Sequence, residues 1–114
     1  MTVLVAGTLD IKAEDRAQAI AAALTQMDDI RAQNGCQAYV WSADPTSETR
    51  VCVFENWDSS DALAAHLAGP FYAKMLGILG SYEILGTAIS KFKVAIEEPI
   101  YDAEGQPRGD FFTE

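Results

Sequence analysis

Residues 36–57 read CQAYVWSADPTSETRVCVFENW, and this stretch decides the fold. Two runs rich in β-branched and aromatic residues, at about 36–43 and 49–57, flank the segment DPTSE, whose residues favour turns. The pattern predicts two antiparallel strands joined as a hairpin. Such a hairpin is stable only when other elements cover its apolar side chains, and the segments on either side must supply those elements.

The register of the hairpin decides whether the two cysteines can pair. If Ala43 lies opposite Thr49, then Cys36 and Cys52 fall on rungs about 13 Å apart, at ~3.3 Å per residue. A disulfide requires Cα atoms within about 7 Å of each other. The register therefore predicts that both cysteines are free thiols.

The same register sorts the side chains of the hairpin onto two faces. One face carries Cys36, Ala38, Val40, Cys52 and Phe54, and the other carries Tyr39, Trp41, Val51, Val53, Glu55 and Trp57. Both faces are largely apolar, whereas a sheet with one wet face alternates apolar and polar residues. Helices can cover only one face in a chain this short. We therefore expect the other face to meet a second copy of the chain in a homodimer.

The flanking segments complete an alternating pattern of strands and helices. Their periodicity and their helix start and stop signals predict a strand over 3–9, a helix over 13–31 that stops at Asn34-Gly35, a second helix that starts at Asp58 or Ser59 and is interrupted at Gly69-Pro70, and a last strand over 87–96. The order β-α-β-β-α-β is typical of an α+β, ferredoxin-like fold.

Composition excludes several classes of partner. The chain has 114 residues, 17 acidic against 8 basic, and a net charge of −9. This balance disfavours nucleic acid and anionic membrane surfaces, and no apolar run reaches the roughly 20 residues of a membrane-spanning helix. The first residues, MTVLVAGTLD, lack the features of a signal peptide, so a cytoplasmic location is expected.

The negative charge is concentrated near the end of the sequence. Residues 1–96 carry a net charge of −4, and the remaining 18 residues carry −5 together with two prolines and two glycines. We expect a folded domain over 1–97 and an acidic tail or arm over 98–114. The aromatic residues Tyr101, Phe111 and Phe112 are expected to anchor this arm on the partner subunit.

Motifs for the commonest kinds of chemistry do not occur. The sequence has no GxGxxG or GxxxxGK phosphate loop and no GxSxG, and its one histidine and two separated cysteines do not have metal-ligand spacing. We therefore expect no cofactor and no metal ion. What remains is a set of polar and aromatic residues near one helix–sheet junction: Trp57, His66, Tyr72 and Tyr82, together with Tyr39 and Trp41 on the hairpin.

His66 is the most informative of these residues. It lies beside Leu63 and Leu67 at the edge of the apolar stripe of its helix. In that place it could accept a phenolic proton, because its reference pKa is about 6.5. It could equally be a packed histidine that donates a hydrogen bond to a backbone carbonyl.

The charged residues of the strands have plainer interpretations. Glu55 lies on a largely apolar face, which is costly without a partner, so a hydrogen bond at the dimer interface is expected. Lys91 and Lys93 are expected on a solvated strand face, with contact to an anionic ligand as the alternative.

Two motifs carry a resemblance to a known family. The pattern E-x-W-x5-L-x2-H-L-x2-P runs from Glu55 to Pro70, and G-C-x2-Y runs from Gly35 to Tyr39. Together with the order of elements, they resemble the antibiotic biosynthesis monooxygenase family, most closely its quinol monooxygenase-like branch. The resemblance covers roughly residues 2–96.

The resemblance implies a ferredoxin-like protomer that pairs into a dimeric α+β barrel, with a pocket between sheet and helices. Family members oxidise quinols or anthrone-type aromatics with O2 and without metal or flavin. The resemblance implies that His66 is the base or an orienting residue, and that a small aromatic or hydrophobic molecule contacts Trp57, Phe71, Tyr72 and Tyr82. The alternatives are a non-catalytic or isomerase-type dimer that binds a small hydrophobic molecule, and a purely structural dimer.

The chain departs from two branches of the family. Anthrone-oxidising members have an Asn and a Tyr where this chain has Val53 and Leu63. Haem-degrading members have an axial His where this chain has Met75 or Leu76. Neither activity is therefore expected.

Overall fold

The computed structural model describes residues 1–113 and places four strands and four helices in them. In chain order these are β1 (Val3–Ile11), α1 (Ala13–Leu24), α2 (Met27–Arg31), β2 (Cys36–Ala43), β3 (Arg50–Trp57), α3 (Ser60–Leu67), α4 (Pro70–Leu79) and β4 (Ile84–Lys93). The strands form one antiparallel sheet in the order β2-β3-β1-β4. This is the α+β, ferredoxin-like fold predicted from the sequence.

The first predicted helix is interrupted rather than continuous over 13–31. The Thr25 hydroxyl donates to the Ala22 carbonyl at 2.7 Å, and the backbone N–H of Gln26 bonds to the Ala23 carbonyl three residues back. The threonine hydroxyl competes with the backbone for a helical carbonyl, and the Gln26 bond spans three residues instead of the four of a regular α-helix. The regular helix therefore ends at this point, and α2 starts at Met27.

The second predicted helix begins and breaks where its signals indicate. The Ser59 side chain accepts a hydrogen bond from the backbone N–H of Ala62 and caps α3. Pro70 opens α4 after Gly69, and α3 and α4 meet at a bend of 58°. Among residues 1–113 no single helix has the length and apolar character needed to cross a membrane, although the bent pair α3–α4 passes on length and composition together.

The predicted hairpin register is wrong by two residues. Ala43 pairs with Val51 instead of Thr49. The cause lies in the loop, where the Ser47 hydroxyl accepts hydrogen bonds from the backbone N–H groups of Thr49 and Arg50 and so keeps Thr49 out of the strand. A slip of two residues leaves each side chain on its predicted face, whereas a slip of one would exchange the faces.

Cys36 is the exception to that rule. The pairing shifts between Cys36 and Ala38, so Cys36 lies opposite Trp57 and packs against the core on the helix side of the sheet. The prediction that it shares a face with Val40 is therefore wrong. Cys52 lies opposite Ser42, far from Cys36 along the hairpin, and both thiols are free.

The last strand begins three residues earlier than predicted and ends at Lys93 instead of Ile96. Its ends are set by β1, since Ile84 pairs with Ile11 and Lys93 pairs with Val3. The two strands approach closely at Gly7, where φ is +154° and a Cβ would lie 2.1 Å from the Ala88 carbonyl oxygen. Only glycine fits there without displacing β4.

The helices pack on one face of the sheet and leave the other open. The buried core contains Val3, Leu9, Ile11, Ala19, Ala23, Met27, Ile30, Tyr39, Val51, Val53, Trp57, Leu63 and Met75. The opposite face, here called the open face, carries Val40, Phe54 and Phe92, whose exposed fractions are 41%, 41% and 52%. An exposed apolar surface of this kind marks an interaction site.

Residues 97–113 form an ordered arm beyond the sheet. The Glu98 carboxylate accepts hydrogen bonds from the backbone N–H groups of Phe112 at 2.9 Å and Thr113 at 2.7 Å. A bridge pairs Tyr101 with Pro107. The segment therefore folds back on itself and is not an open tail.

Candidate functional site

A cavity of about 540 Å³ lies between the helix side of the sheet and the pair α3–α4. Its walls are mostly apolar, and its volume is typical of sites for small organic ligands. The lining residues are Val5, Leu9, Tyr39, Trp41, Val53, Glu55, Leu63, Leu67, Tyr72, Met75, Leu76, Leu79, Thr87, Ile89, Ser90 and Lys91.

One rung of the sheet supplies the principal polar groups of this cavity. Tyr39 on β2 pairs with Glu55 on β3, Glu55 pairs with Val5 on β1, and Val5 pairs with Lys91 on β4. Side chains of paired residues point to the same face of a sheet, here the helix side. A phenol, a carboxylate and an ammonium group thus follow one another across the floor of the cavity.

Glu55 is the buried acid of the site. Its side chain is 8% exposed, and its Oε1 accepts a hydrogen bond of 2.9 Å from the indole N–H of Trp57. Burial raises the pKa of Glu55 above its usual range, and the Trp57 bond opposes that shift. The expectation of a dimer-interface hydrogen bond is wrong, since the partner of Glu55 is in its own chain.

Tyr39 beside it stays protonated. Burial, together with the neighbouring Glu55 carboxylate, raises the pKa of the Tyr39 hydroxyl. The hydroxyl can therefore donate a hydrogen bond to a ligand that reaches this end of the rung.

His66 lies behind the wall of the cavity and is 1% exposed. Its ring stacks on Trp57 with centroids 4.7 Å apart and meets the edges of Tyr39 and Tyr72. Its Nδ1 lies 2.7 Å from Gln33 Oε1, which can only accept, so Nδ1 carries the proton. Burial lowers the pKa of His66, which keeps the imidazole neutral.

That arrangement leaves His66 without access to a ligand. With Nδ1 protonated, the lone pair sits on Nε2, which is buried and has no hydrogen-bond partner. A general base must reach the proton that it removes. In this conformation the imidazole supports the cavity wall and does not face the interior.

Of the other site residues predicted from the sequence, one lines the cavity and the rest pack in or against the core. Tyr72 lines the cavity. Trp57 is fully buried behind it, Phe71 packs against the core cluster around Trp57, and Tyr82 packs against the cluster around Leu9.

Sequence reasoning did not place Glu55 in the site. It named Tyr39 only as a neighbouring aromatic residue of the hairpin, and it gave contact with an anionic ligand only as the alternative for Lys91. The available signal for Glu55 was its place on a strand face whose other residues are apolar, a pattern that indicates a buried carboxylate. For Lys91 the signal was weaker, because alternating lysines on a strand are usual at a solvated face. Within residues 1–113, no group of three or more His, Cys, Asp or Glu side chains is arranged to hold a metal ion.

The sequence profile of the family described as antibiotic biosynthesis monooxygenase matches residues 2–76, about two thirds of the sequence. The chain belongs to the antibiotic biosynthesis monooxygenase family. The matched segment contains Tyr39, Glu55, Trp57 and His66, while β4 lies beyond it.

Solved structures agree on the fold. A candidate antibiotic biosynthesis monooxygenase from Deinococcus radiodurans superposes with a TM-score of 0.78 at 24% identity, covering 88% of this chain and 99% of that one. A second candidate of the family, from Caulobacter crescentus, gives 0.76 at 20% identity, covering 83% and 91%. At these identities the likeness concerns the fold alone.

An uncharacterised protein from Synechocystis is similar to part of this chain. It is 29% identical over 70 residues, which is 61% of this chain and 48% of that protein. The chain thus spans about half the length of this relative.

Proposed function

We propose that this protein is a monooxygenase that oxidises a small quinol or phenol with O2, and that Glu55 is the base that takes the hydroxyl proton. The observation that carries the proposal is the Glu55 carboxylate, which is almost fully buried and lines an apolar cavity of suitable size. A phenol has a pKa of about 10, and a carboxylate whose pKa is raised by burial is closer to that value than an exposed one. Family membership supports an oxidative reaction at this site.

The chemistry needs no external reductant. Once the hydroxyl proton moves to Glu55, the electron-rich phenolate gives an electron to O2, and the resulting radical pair combines at a ring carbon. The peroxide takes the proton back from Glu55, and its loss of water leaves one oxygen atom on the ring and the other in water. A hydroquinone and O2 thereby become a hydroxyquinone and water. The cavity contributes a proton acceptor, an orientation for the ring and protection of the radicals from solvent.

His66 is proposed to orient and not to take the proton. It stacks on Trp57, and the Trp57 indole N–H holds Glu55, so the imidazole acts on the carboxylate through the indole. Gln33 in turn fixes the imidazole through Nδ1. Tyr72 lies at the cavity surface and is proposed to contact the substrate, whereas Trp57 lies behind the wall and acts through its bond to Glu55.

A homodimer through the open face completes the proposal. Val40, Phe54 and Phe92 lie exposed on the side of the sheet away from the helices. A second sheet of the same kind would bury these side chains, and a two-fold pairing of identical surfaces is the commonest arrangement of small oligomers.

The test is O2 uptake with a panel of small hydroquinones, corrected for autoxidation without protein. Glu55→Gln should reduce the rate at least about 100-fold, the lower end of the usual effect of losing a general base. His66→Phe keeps a ring on Trp57 and should retain a measurable rate.

The pH profile separates the two candidate bases. With Glu55 as the base, the rate falls as the pH drops through the raised pKa of Glu55, and His66→Phe leaves that limb in place. With His66 as the base, the limb would disappear in His66→Phe, which would contradict the proposed roles. Stabilisation by quinols without any O2 uptake would instead indicate a non-catalytic or isomerase-type binding protein.

A further inference from the structure

Lys91 lies on the same rung as the proposed base. Glu55 and Lys91 are the two neighbours of Val5, one on each side of β1. Two strand spacings of ~4.8 Å place their backbones about 10 Å apart, with both side chains on the helix side of the sheet. Both residues line the 540 Å³ cavity, so a single ligand can reach both.

Lys91 is the one cationic side chain in that lining among the residues that the structure describes. It is exposed and also borders a second cavity, next to Met1 and Lys93, so it stands at the mouth of the first. No salt bridge within residues 1–113 involves Lys91. Its ammonium group is therefore free to bind an anion that projects from the cavity.

We infer that the substrate is a phenol or quinol that carries a carboxylate, and that Lys91 binds this carboxylate while Glu55 faces the hydroxyl at the other end of the ring. One ring with para substituents, extended by a hydrogen bond of ~2.8 Å at each end, covers the span between the two strands. This specificity rests on the proposed function. Lys91 lies in β4, outside the segment that the family profile matches.

The apolar walls and the two polar ends make the arrangement directional. A carboxylate at the Glu55 end would face a second carboxylate in a poorly solvated place, which is unfavourable whenever Glu55 is ionised. At the Lys91 end the same group meets an opposite charge beside solvent. Electrostatics therefore orients the hydroxyl toward the base.

The test compares an acid with its uncharged ester. Binding of para-hydroxybenzoate and of methyl para-hydroxybenzoate is measured by calorimetry at low and at physiological salt. The variants are Lys91→Gln and, as the matched control, Lys93→Gln, which removes the same charge two residues along the strand but outside the first cavity. Melting temperatures of both variants establish that they are folded.

The acid should bind about tenfold more tightly than the ester, a modest effect because a lysine at the mouth is partly screened by solvent. Lys91→Gln should remove this preference, and Lys93→Gln should keep it. Equal binding of acid and ester by the unaltered protein would overturn the inference. An equal loss of the preference for the acid in both lysine variants would overturn it too, since nonspecific electrostatic attraction between the protein and the anion would then explain that preference.

Turnover distinguishes this inference from the proposed function. If 3,4-dihydroxybenzoate, whose 4-hydroxyl is para to the carboxylate, and its methyl ester are oxidised at equal efficiency, the monooxygenase function stands and the role of Lys91 fails. If the acid binds through Lys91 but no hydroquinone consumes O2, the function fails while the anion site stands.

Discussion

Replacing Glu55 by glutamine should stabilise the fold at neutral pH while removing the proposed base. Burial raises the pKa of Glu55 above the value of about 4.3 that it has in an unfolded chain. Between these two values the folded state holds a proton that the unfolded state has lost, so the free energy of unfolding decreases as the pH rises through this window. Below the window both states are protonated, and the side chain has no such effect.

The size of the effect follows from the surroundings of the carboxylate. An unsatisfied buried polar group costs about 1–3 kcal/mol, and more if charged. Glu55 retains the bond from Trp57 and faces a cavity, so we take the low end, ~1 kcal/mol. Glutamine still accepts the Trp57 N–H through its own oxygen. For a domain of this length, ~1 kcal/mol corresponds to a rise in Tm of about 4 °C.

Thermal unfolding at about pH 4 and about pH 8 measures this effect. The variant and the unaltered protein should have similar Tm values at the lower pH, and the variant should melt about 4 °C higher at the upper one. Glu48→Gln, at an exposed position of the hairpin loop, is the matched control and should change neither value. A variant that melts lower than the unaltered protein at the upper pH would refute the reasoning, because the carboxylate would then be a net stabilising group.

Four further outcomes are expected. Gly7→Ala should cost about 1–3 kcal/mol in denaturant unfolding, because its Cβ would meet the backbone of β4, while Gly86→Ala, with open space around it, should cost far less. Ser59→Ala should cost about 1 kcal/mol by removing the cap of α3, and an unchanged midpoint would contradict that role. Phe54→Asp on the open face should shift the species seen by light scattering from dimer to monomer; a persistent dimer would place the interface elsewhere. A chain that stops at residue 97 should dissociate at a higher protein concentration than the full chain, and equal dissociation would contradict anchoring by the arm.

The sequence predicted the architecture because its elements have strong local signals. The turn-rich DPTSE segment, the Ser59 cap and the Gly69-Pro70 break each act within a few residues, and each element is present in the structure. The errors arose where contacts with another part of the chain set the boundary of an element. Hydroxyl groups of Thr25 and Ser47 bond to nearby backbone and move an element boundary, and the length of β1 sets the ends of β4.

The site was less predictable for the same physical reason. The sequence singled out His66 because histidine titrates near neutral pH, but its neutrality and its burial depend on Gln33, Trp57 and Tyr72, which come from other elements. Glu55 and Lys91 share a rung only through β1, which lies between them in the sheet. Periodicity along one strand cannot reveal a pairing between three strands.

The position of β4 has a consequence for the order of assembly. Its partner β1 comes from the opposite end of the sequence, so this pairing has a high contact order and forms slowly compared with the local β2–β3 hairpin. As the chain leaves the ribosome, the hairpin and both helix pairs can be in place before the last strand emerges. Until β4 docks, the cavity lacks one wall and Glu55 remains in contact with water. Glu55, the proposed base, is therefore expected to acquire its raised pKa only when folding is complete, and partly folded chains are expected to lack the proposed activity.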